Sequence, residues 1–540
     1  MEPSLGPKVL VVYVLGLTGS LAEWNELVDR FKADPAVGHP DSIVYQPKKS
    51  LLSVGNAQDL ANGLRARIDE KWITEGESYT NVILVGHSFG GLLVRKAYLL
   101  ACGAARGTHT SRWHPLVSRI VLFAATNRGV DARRTLRMRL LRRLYRAART
   151  FHAIPHLLLS DALWGSAFLT QLRLEWIRHF RDVDNDRLPE VVQLLGTRDH
   201  LVTREDSTDL LQFPKVTAFD VADATHDNLH RPDASEDPAS RYKLLRHAVF
   251  EPLSAPEPEL PPRSKNPVVF VLHGIRASNS GWPDQLRELL LNANTDAEVI
   301  LPSYNYFSAL NFCLPWIRRR YIEWFQDAYS EALARSSQSD FHFVGHSNGT
   351  YLLGASLKAL PAMRFQRIAL IGSVLPRDYD WSVRVRDGQV REIRNHRSSV
   401  DWPVGLLCSG LRALQMRDIG TGGFDGFEWN TASVSREIYY HRGGHSGPLT
   451  PTCLTDIATH ILTGQDPPAP YLVPSPPFFF SWASRLLGHW WFTIPLIACV
   501  LAIAWGATYL VAMPFHLPPQ WHWTFFLGLL LVIAIVLATV

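Results

Sequence analysis

The sequence predicts an α/β protein with two tandem domains, each a mostly parallel sheet flanked by helices, followed by two C-terminal transmembrane helices. Three observations carry this. Short β-branched runs alternate with helical patterns along most of the chain, as expected for a buried parallel sheet covered by helices. One short pattern, Gly-His-Ser-x-Gly, stands at 86–90 and again at 345–349, 259 positions later. Two uncharged apolar stretches, Trp490 to Met513 and Trp521 to Val540, close the chain.

Size and composition allow this reading. The chain has 540 residues, 46% hydrophobic and 19% charged, enough for two or three domains with proper cores. A net charge of +5 is too small to imply a nucleic-acid partner. The five cysteines, Cys102, Cys313, Cys408, Cys453 and Cys499, have neither metal-ligand nor redox spacing, which fits a reducing compartment. The first residues lack the pattern of a signal peptide, so the soluble domains are expected to face the cytoplasm.

The first domain is expected over 8–250. Lys8–Val14 reads as a buried strand ending in the loop Leu15-Gly16-Leu17-Thr18-Gly19, with a helix from Trp24 to Phe31. The strand 81–85 runs into Gly86, a helix follows from Gly91 to Ala101, and further strands lie at 119–124 and 190–195. Residues 251–267 carry too many prolines for a helix or an inner strand and read as a stiff linker. The second domain, 268–465, opens at Val268–Leu272, followed by His273-Gly274-Ile275-Arg276, and has a strand at 367–372. Its landmarks repeat those of the first. Trp24 follows Gly16 by eight positions and Trp282 follows Gly274 by eight, while 70 and 71 positions separate these glycines from Gly86 and Gly345. A second linker, 466–489, contains Pro474-Ser475-Pro476-Pro477 and leads to the helical hairpin 490–540. Each apolar stretch is long enough to cross about 30 Å of hydrocarbon, and Trp490, Trp491, Trp521 and Trp523 suit the interface belt.

Both Gly-His-Ser-x-Gly copies follow a buried strand and precede a helix. A serine on such a sharp turn is exposed and can be deprotonated by a histidine, which in turn needs an orienting acid. For Ser88 the acid expected is Asp199, at the end of a late strand, with Asp206 and Asp209 further into the loop; the histidine is His226, with His230 as the alternative. For Ser347 the acid is Asp401, with Asp418 and Asp425 open, and the histidine is His445, whose flanking glycines let a loop bring the ring up. Backbone N–H donors for the tetrahedral intermediate are expected at Phe89 and Leu17 in the first domain and at Asn348 and Ile275 in the second. No metal site is expected.

With these motifs the chain resembles the α/β-hydrolase superfamily twice, over roughly residues 8 to 465. Gly-His-Ser-Phe-Gly-Gly and the glycine-rich first loop resemble the lipase and esterase branch. Ala124-Ala125-Thr126-Asn127-Arg128-Gly129 is similar to the A-P-H-x-G segment of many lipases, without its proline and histidine. The resemblance implies hydrolysis of esters, thioesters or amides through a covalent acyl-enzyme, with no cofactor.

Two segments read as lids. Arginines 133, 134, 137, 139, 142, 143, 146 and 149, interleaved with Leu136, Leu140, Leu141 and Leu144, form a basic amphipathic helix in an insertion of about 130–180. It suits an anionic membrane surface or, as readily, a solvated cap, and the following Ile154–Phe180 is rich in Leu, Trp and Phe. Tyr304–Ala328, with Phe307, Phe312, Trp316, Trp324 and Phe325, reads as acyl-pocket lining or as core. Membrane and lids favour lipid or hydrophobic ester substrates. The alternatives are one catalytic copy beside a degenerate binding module, a non-catalytic membrane scaffold, or an acyltransferase.

Overall fold

The computed structural model describes residues 8–17, 19–47, 50, 52–75, 78–104, 109–129, 155–182, 187–202, 213, 215–253, 266–275, 281–302, 308–428, 435–466, 468–512 and 519–539. Two compact units are present, one built on each of two six-stranded sheets. The basic arginine run at 133–149, Asp206 and Asp209 lie outside the described residues, as do Thr18 and Arg276.

The first sheet comprises β1 (Val9–Val14), β2 (Asp41–Tyr45), β3 (Asn81–His87), β4 (Val117–Phe123), β5 (Glu190–Gly196) and β6 (Val216–Val221), in the order β2-β1-β3-β4-β5-β6. Every pairing is parallel. The second comprises β7 (Val268–Leu272), β8 (Glu298–Ile300), β9 (Phe341–His346), β10 (Phe365–Ile371), β11 (Val390–Ser398) and β12 (Ser435–His441). Its order is β8-β7-β9-β10-β11-β12, again all parallel. Counted within each unit, the two orders are identical. The register agrees too: Val14 pairs with Gly86, and Leu272 with Gly345.

Strands covered on both faces explain the unbroken apolar runs. Val11, Tyr13, Val85, Val121, Phe123, Val192 and Leu194 form one core with Trp24, Leu27, Val28 and Phe31 of the helix Leu21–Ala33. In the second sheet Val269, Val271, Val344, Ala369 and Ile371 pack with Leu286 and Leu290 and with the helix Pro451–Thr463.

The apolar side chains of the two lid segments are largely buried, as the cap and core readings of these segments expect. In the helix Ala167–Asp182, Leu172, Leu174, Trp176, Ile177 and Phe180 are almost fully buried. The helix is tied to Phe89–Ala101 by a buried Lys96–Glu175 ion pair at 2.5 Å and by Arg95 lying over the Trp176 ring. In the second unit Phe312 and Phe325 are core, and Phe325 packs on Phe270 and Phe343. The apolar residues there mark packing. Among the described residues Trp316 stands out, at 38% exposure.

The C-terminal part is helical at Phe478–Leu487, Trp490–Ala512 and Pro519–Thr539. The second of these is long and apolar enough to cross a membrane, judged by length and composition. It packs against the third through Trp505 on Trp523 and Phe526.

Candidate active site

The serine turns are built alike. Ser88 and Ser347 both have φ +53°, in the left-handed region that non-glycine residues rarely adopt. Each is pinned there by its neighbours. The serine N–H donates to the last residue of the next strand, Ser88 to the Phe123 carbonyl and Ser347 to the Ile371 carbonyl, both at 2.9 Å. The turn also needs bare backbone close by. A Cβ at Gly90 would meet the Val14 carbonyl oxygen at 2.2 Å, and one at Gly349 the Leu272 oxygen at 2.7 Å. The loop after the first strand backs onto the serine in both units: a Cβ at Gly16 or Gly274 would stand 3.2 Å or 2.7 Å from the serine Cβ. This puts Leu17 and Ile275 in the loop beside the hydroxyl. Phe89 and Asn348 open the helices Phe89–Ala101 and Asn348–Ala359, where first-turn N–H groups lack intrahelical acceptors.

In the first unit three predicted side chains meet. His226 Nε2 lies 2.8 Å from Ser88 Oγ, and His226 Nδ1 lies 3.0 Å from Asp199 Oδ2. Asp199 sits just past β5, and its Oδ1 accepts the Leu201 and Val202 N–H groups at 2.8 and 3.0 Å. Burial pushes the Asp199 pKa up, but the hydrogen bonds from His226 and the Val202 and Leu201 backbone outweigh it and hold the pKa below the usual value. The carboxylate is therefore ionised and its second oxygen is left to orient the imidazole. His230 is not in this array. Its ring stacks on Trp24 at 4.4 Å and 4°, and burial pushes its pKa down to about 3.

The second unit brings together the acid and the histidine. His445 Nδ1 faces both Asp401 oxygens, at 3.0 and 2.8 Å, and Asp401 is fully buried. Asp401 Oδ1 also accepts the Val404 N–H at 3.0 Å. The residue thus stands at the start of a helical segment running through Cys408. Asp418 is engaged elsewhere, with Arg318 and Tyr351 at 2.8 and 2.7 Å, and Asp425 with Thr421. Among the described residues Ser347 Oγ makes no hydrogen bond, to His445 or to any other group.

Sequence reasoning passed over the histidine before each serine. His87 Nε2 donates to the His226 carbonyl at 2.9 Å, and His346 Nε2 reaches the His445 carbonyl at 3.3 Å. Burial pushes the His87 pKa down to about 4, against the pull of that hydrogen bond, and drives His346 well below its ordinary value. Both rings are neutral near pH 7, so the nitrogen facing a carbonyl carries the proton. The repeated tryptophans pack on them: Trp24 lies 5.9 Å from His87, and Trp282 lies 6.1 Å from His346. The signal was present as Gly-His-Ser in both copies, together with the matched Gly-to-Trp spacing.

Residues 19–237 match the model of the alpha/beta hydrolase family. Among solved structures, the chain is similar to phospholipase PlaB from Legionella pneumophila, at 18% identity, 35% of this chain, 39% of that chain and TM-score 0.25. It is also similar to the peroxisomal alpha-beta-hydrolase Lpx1 of Saccharomyces cerevisiae (12% identity, 47% and 81% covered, TM-score 0.31). A third is the haloalkane dehalogenase DatA of Agrobacterium tumefaciens C58 (13%, 44% and 88%, 0.28). The chain thus spans well under half the length of PlaB. No curated protein matches it. The fold is that of an α/β protein with two parallel sheets, and residues 19–237 match the model of the alpha/beta hydrolase family.

Proposed function

We propose that this chain is a membrane-anchored serine hydrolase of carboxylic esters, acting on lipid-like or hydrophobic acyl esters, with Ser88, His226 and Asp199 as its working triad. The observation that carries this is the unbroken hydrogen-bonded line from Ser88 Oγ through His226 to a buried, ionised Asp199. In such a line His226 Nε2 takes the hydroxyl proton as Ser88 Oγ attacks the acyl carbon. Asp199 holds Nδ1–H and stabilises the imidazolium. The carbonyl oxygen, now negative, accepts the Phe89 and Leu17 N–H groups. His226 returns the proton to the departing alcohol. Water then enters and gives a proton to His226 as its oxygen attacks the acyl carbon, and His226 returns that proton to Ser88 Oγ as the acid leaves.

Membrane anchorage is supported by the helix Trp490–Ala512, about 35 Å long at 1.5 Å per residue against a hydrocarbon core of about 30 Å. Its apolar side chains point outward, Ile503 being 71% exposed. Phe478, Phe479 and Trp482 on the preceding helix are exposed as well, as suits an interfacial segment. Arg485 is the nearest cation, and the positive-inside bias supports a cytoplasmic side for both domains. A membrane-held enzyme meets lipid esters at high local concentration, which is the reason for the substrate class.

A second reading has one working copy and one that binds without turnover. The Ser347 hydroxyl, unjoined to His445, favours it. One experiment tests both. A fluorophosphonate probe is applied to the full chain and to Ser88→Ala and Ser347→Ala, followed by an ester panel of graded chain length. Ser88→Ala is expected to lose most labelling and to lower kcat by more than about 10³-fold. Labelling unchanged in Ser88→Ala would end the proposal.

A further inference from the structure

His396, His441 and Cys453 are each buried, at 6%, 3% and 0% exposure, and lie far apart in sequence, so spacing gave no hint of a cluster. We propose that these three side chains form a zinc site in the second unit. His396 Nδ1 and His441 Nε2 are 3.3 Å apart, and Cys453 Sγ is 3.9 Å from the same His441 nitrogen. All three ligand atoms lie within 4.8 Å of one another.

These separations suit coordination. An ordinary N–H hydrogen bond spans about 2.7–3.2 Å. A tetrahedral zinc, with bonds of about 2.0–2.1 Å to nitrogen and about 2.3 Å to sulfur, sets N···N edges of about 3.3–3.4 Å and N···S edges of about 3.6 Å. The nitrogen pair matches a coordination edge, the His441–Cys453 pair is a few tenths long, and the His396–Cys453 pair lies within 4.8 Å, so the side chains draw together on binding.

The backbone has been altered to make the convergence. His396 on β11 pairs with Ile438 on β12, so the regular register would set Ser398 opposite Tyr440. Instead the register shifts and Ser398 pairs with His441. One extra residue on β12 moves His441 onto the face that carries His396; without it the ring would point to the other side of the sheet. Cys453 comes from the first turn of the helix Pro451–Thr463, which covers that face. Tyr471 borders the site: its ring lies 5.8 Å from that of His441, and its hydroxyl donates to Asp456.

Binding is balanced as follows. Zn²⁺ takes lone pairs from two neutral imidazoles and from the Cys453 thiolate, and the thiol proton leaves to solvent. The His₂Cys set supplies three of the four ligands of a tetrahedral zinc and leaves the fourth to a water. It would join the strands that lead to the acid and histidine of the second site, because Asp401 lies five residues after His396 and His445 four after His441. The inference stands whether or not either serine reacts.

The test uses the full chain, expressed with zinc supplied and purified in detergent. Elemental analysis is expected to find one zinc per chain, and chelator is expected to lower Tm. Cobalt exchanged into the site should give a thiolate-to-cobalt charge-transfer band. Cys453→Ser should lose the band, and His441→Gln should lose the metal. Because buried variants can misfold, the wild-type measurements stand alone. Absence of stoichiometric zinc, copper in its place, or a cobalt spectrum without a thiolate band would overturn the site. So would full zinc occupancy in a folded Cys453→Ser chain.

Discussion

The two serine sites share a backbone and differ in one contact. Ser88 and Ser347 have the same φ, donate to the same position on the next strand and face the same glycine loop. In the first unit the imidazole reaches the hydroxyl at 2.8 Å; in the second it is held by both oxygens of Asp401 and makes no hydrogen bond to the serine. The serine turn is set by local chain geometry, which a five-residue pattern can encode. The imidazole arrives on a separate loop, and its position depends on distant partners. His226 lies on a loop fixed by the His87 hydrogen bond at 2.9 Å and by Arg198 N–H on the Ala224 carbonyl. His445 lies among Gly443, Gly444 and Gly447, with the His346 contact lengthened to 3.3 Å.

The largest effect expected from breaking this comparison is at the base and the acid. His226→Ala should cut ester turnover by more than about 10³-fold, and Asp199→Asn by about 10³–10⁴-fold, since the amide mispositions the imidazole. Asp401→Asn should leave total turnover within about threefold, measured as kcat on a soluble ester. Equal losses at Asp199 and Asp401 would mean that both sites turn over. His230→Ala, by contrast, removes a ring stacked on Trp24 and should cost about 1–3 kcal/mol of stability without lowering kcat.

A smaller effect separates the copies through one position. After β4 stands Ala124 at φ +43°, and after β10 stands Gly372 at φ +50°. A Cβ on Gly372 would meet His445 Cε1 at 2.8 Å and Nδ1 at 2.9 Å. Gly372→Ala should therefore displace His445 and abolish any probe labelling of Ser347, while labelling of Ser88 is unchanged. Loss of both signals would show that the substitution unfolds more than its own site.

The smallest effect is on pH-dependent stability. His87, with its folded pKa pushed down to about 4, binds a proton more weakly in the folded chain than in the unfolded chain, where about 6.5 applies. Its contribution is complete above about pH 6.5 and is lost as pH falls toward 4, at up to about 1.4 kcal/mol per pH unit. Denaturant melts of the full chain between pH 7 and 4 should show a shallower slope in His87→Asn. An unchanged slope would place the titration elsewhere. Asp199 has the sign of a depressed acid: its contribution holds above the ordinary carboxylate value and fades as pH falls through its lower folded value.

Much of the first sheet was legible. The strands at 9–14, 81–87 and 190–196 are unbroken apolar runs, and burial on both faces is what writes such runs. The partly exposed edge strands β2 and β8 carry a weaker apolar signal and were not read. Asp199 and His226 could be proposed because each follows a strand end at a plausible distance from Ser88. His87 and His346 could not be given a role, since their partners are backbone carbonyls more than 90 residues away, and a carbonyl leaves no mark in sequence. The greasy 154–180 stretch could not be assigned for a related reason. Hydrophobicity alone does not distinguish a surface that takes up acyl chains from one that packs on a helix, and Trp176 and Phe180 do the second.

The amino-acid order by itself determined the doubled strand–serine–helix pattern, the parallel α/β class and the apolar C-terminal helix, because each follows from periodicity and short-range sterics along the chain. Tertiary structure decided which histidine meets which serine, that Asp401 rather than Asp418 faces His445, and that a one-residue bulge turns His441 toward His396. Those outcomes depend on loops and strands that meet across tens to more than a hundred residues, and contact at that range is a property of packing.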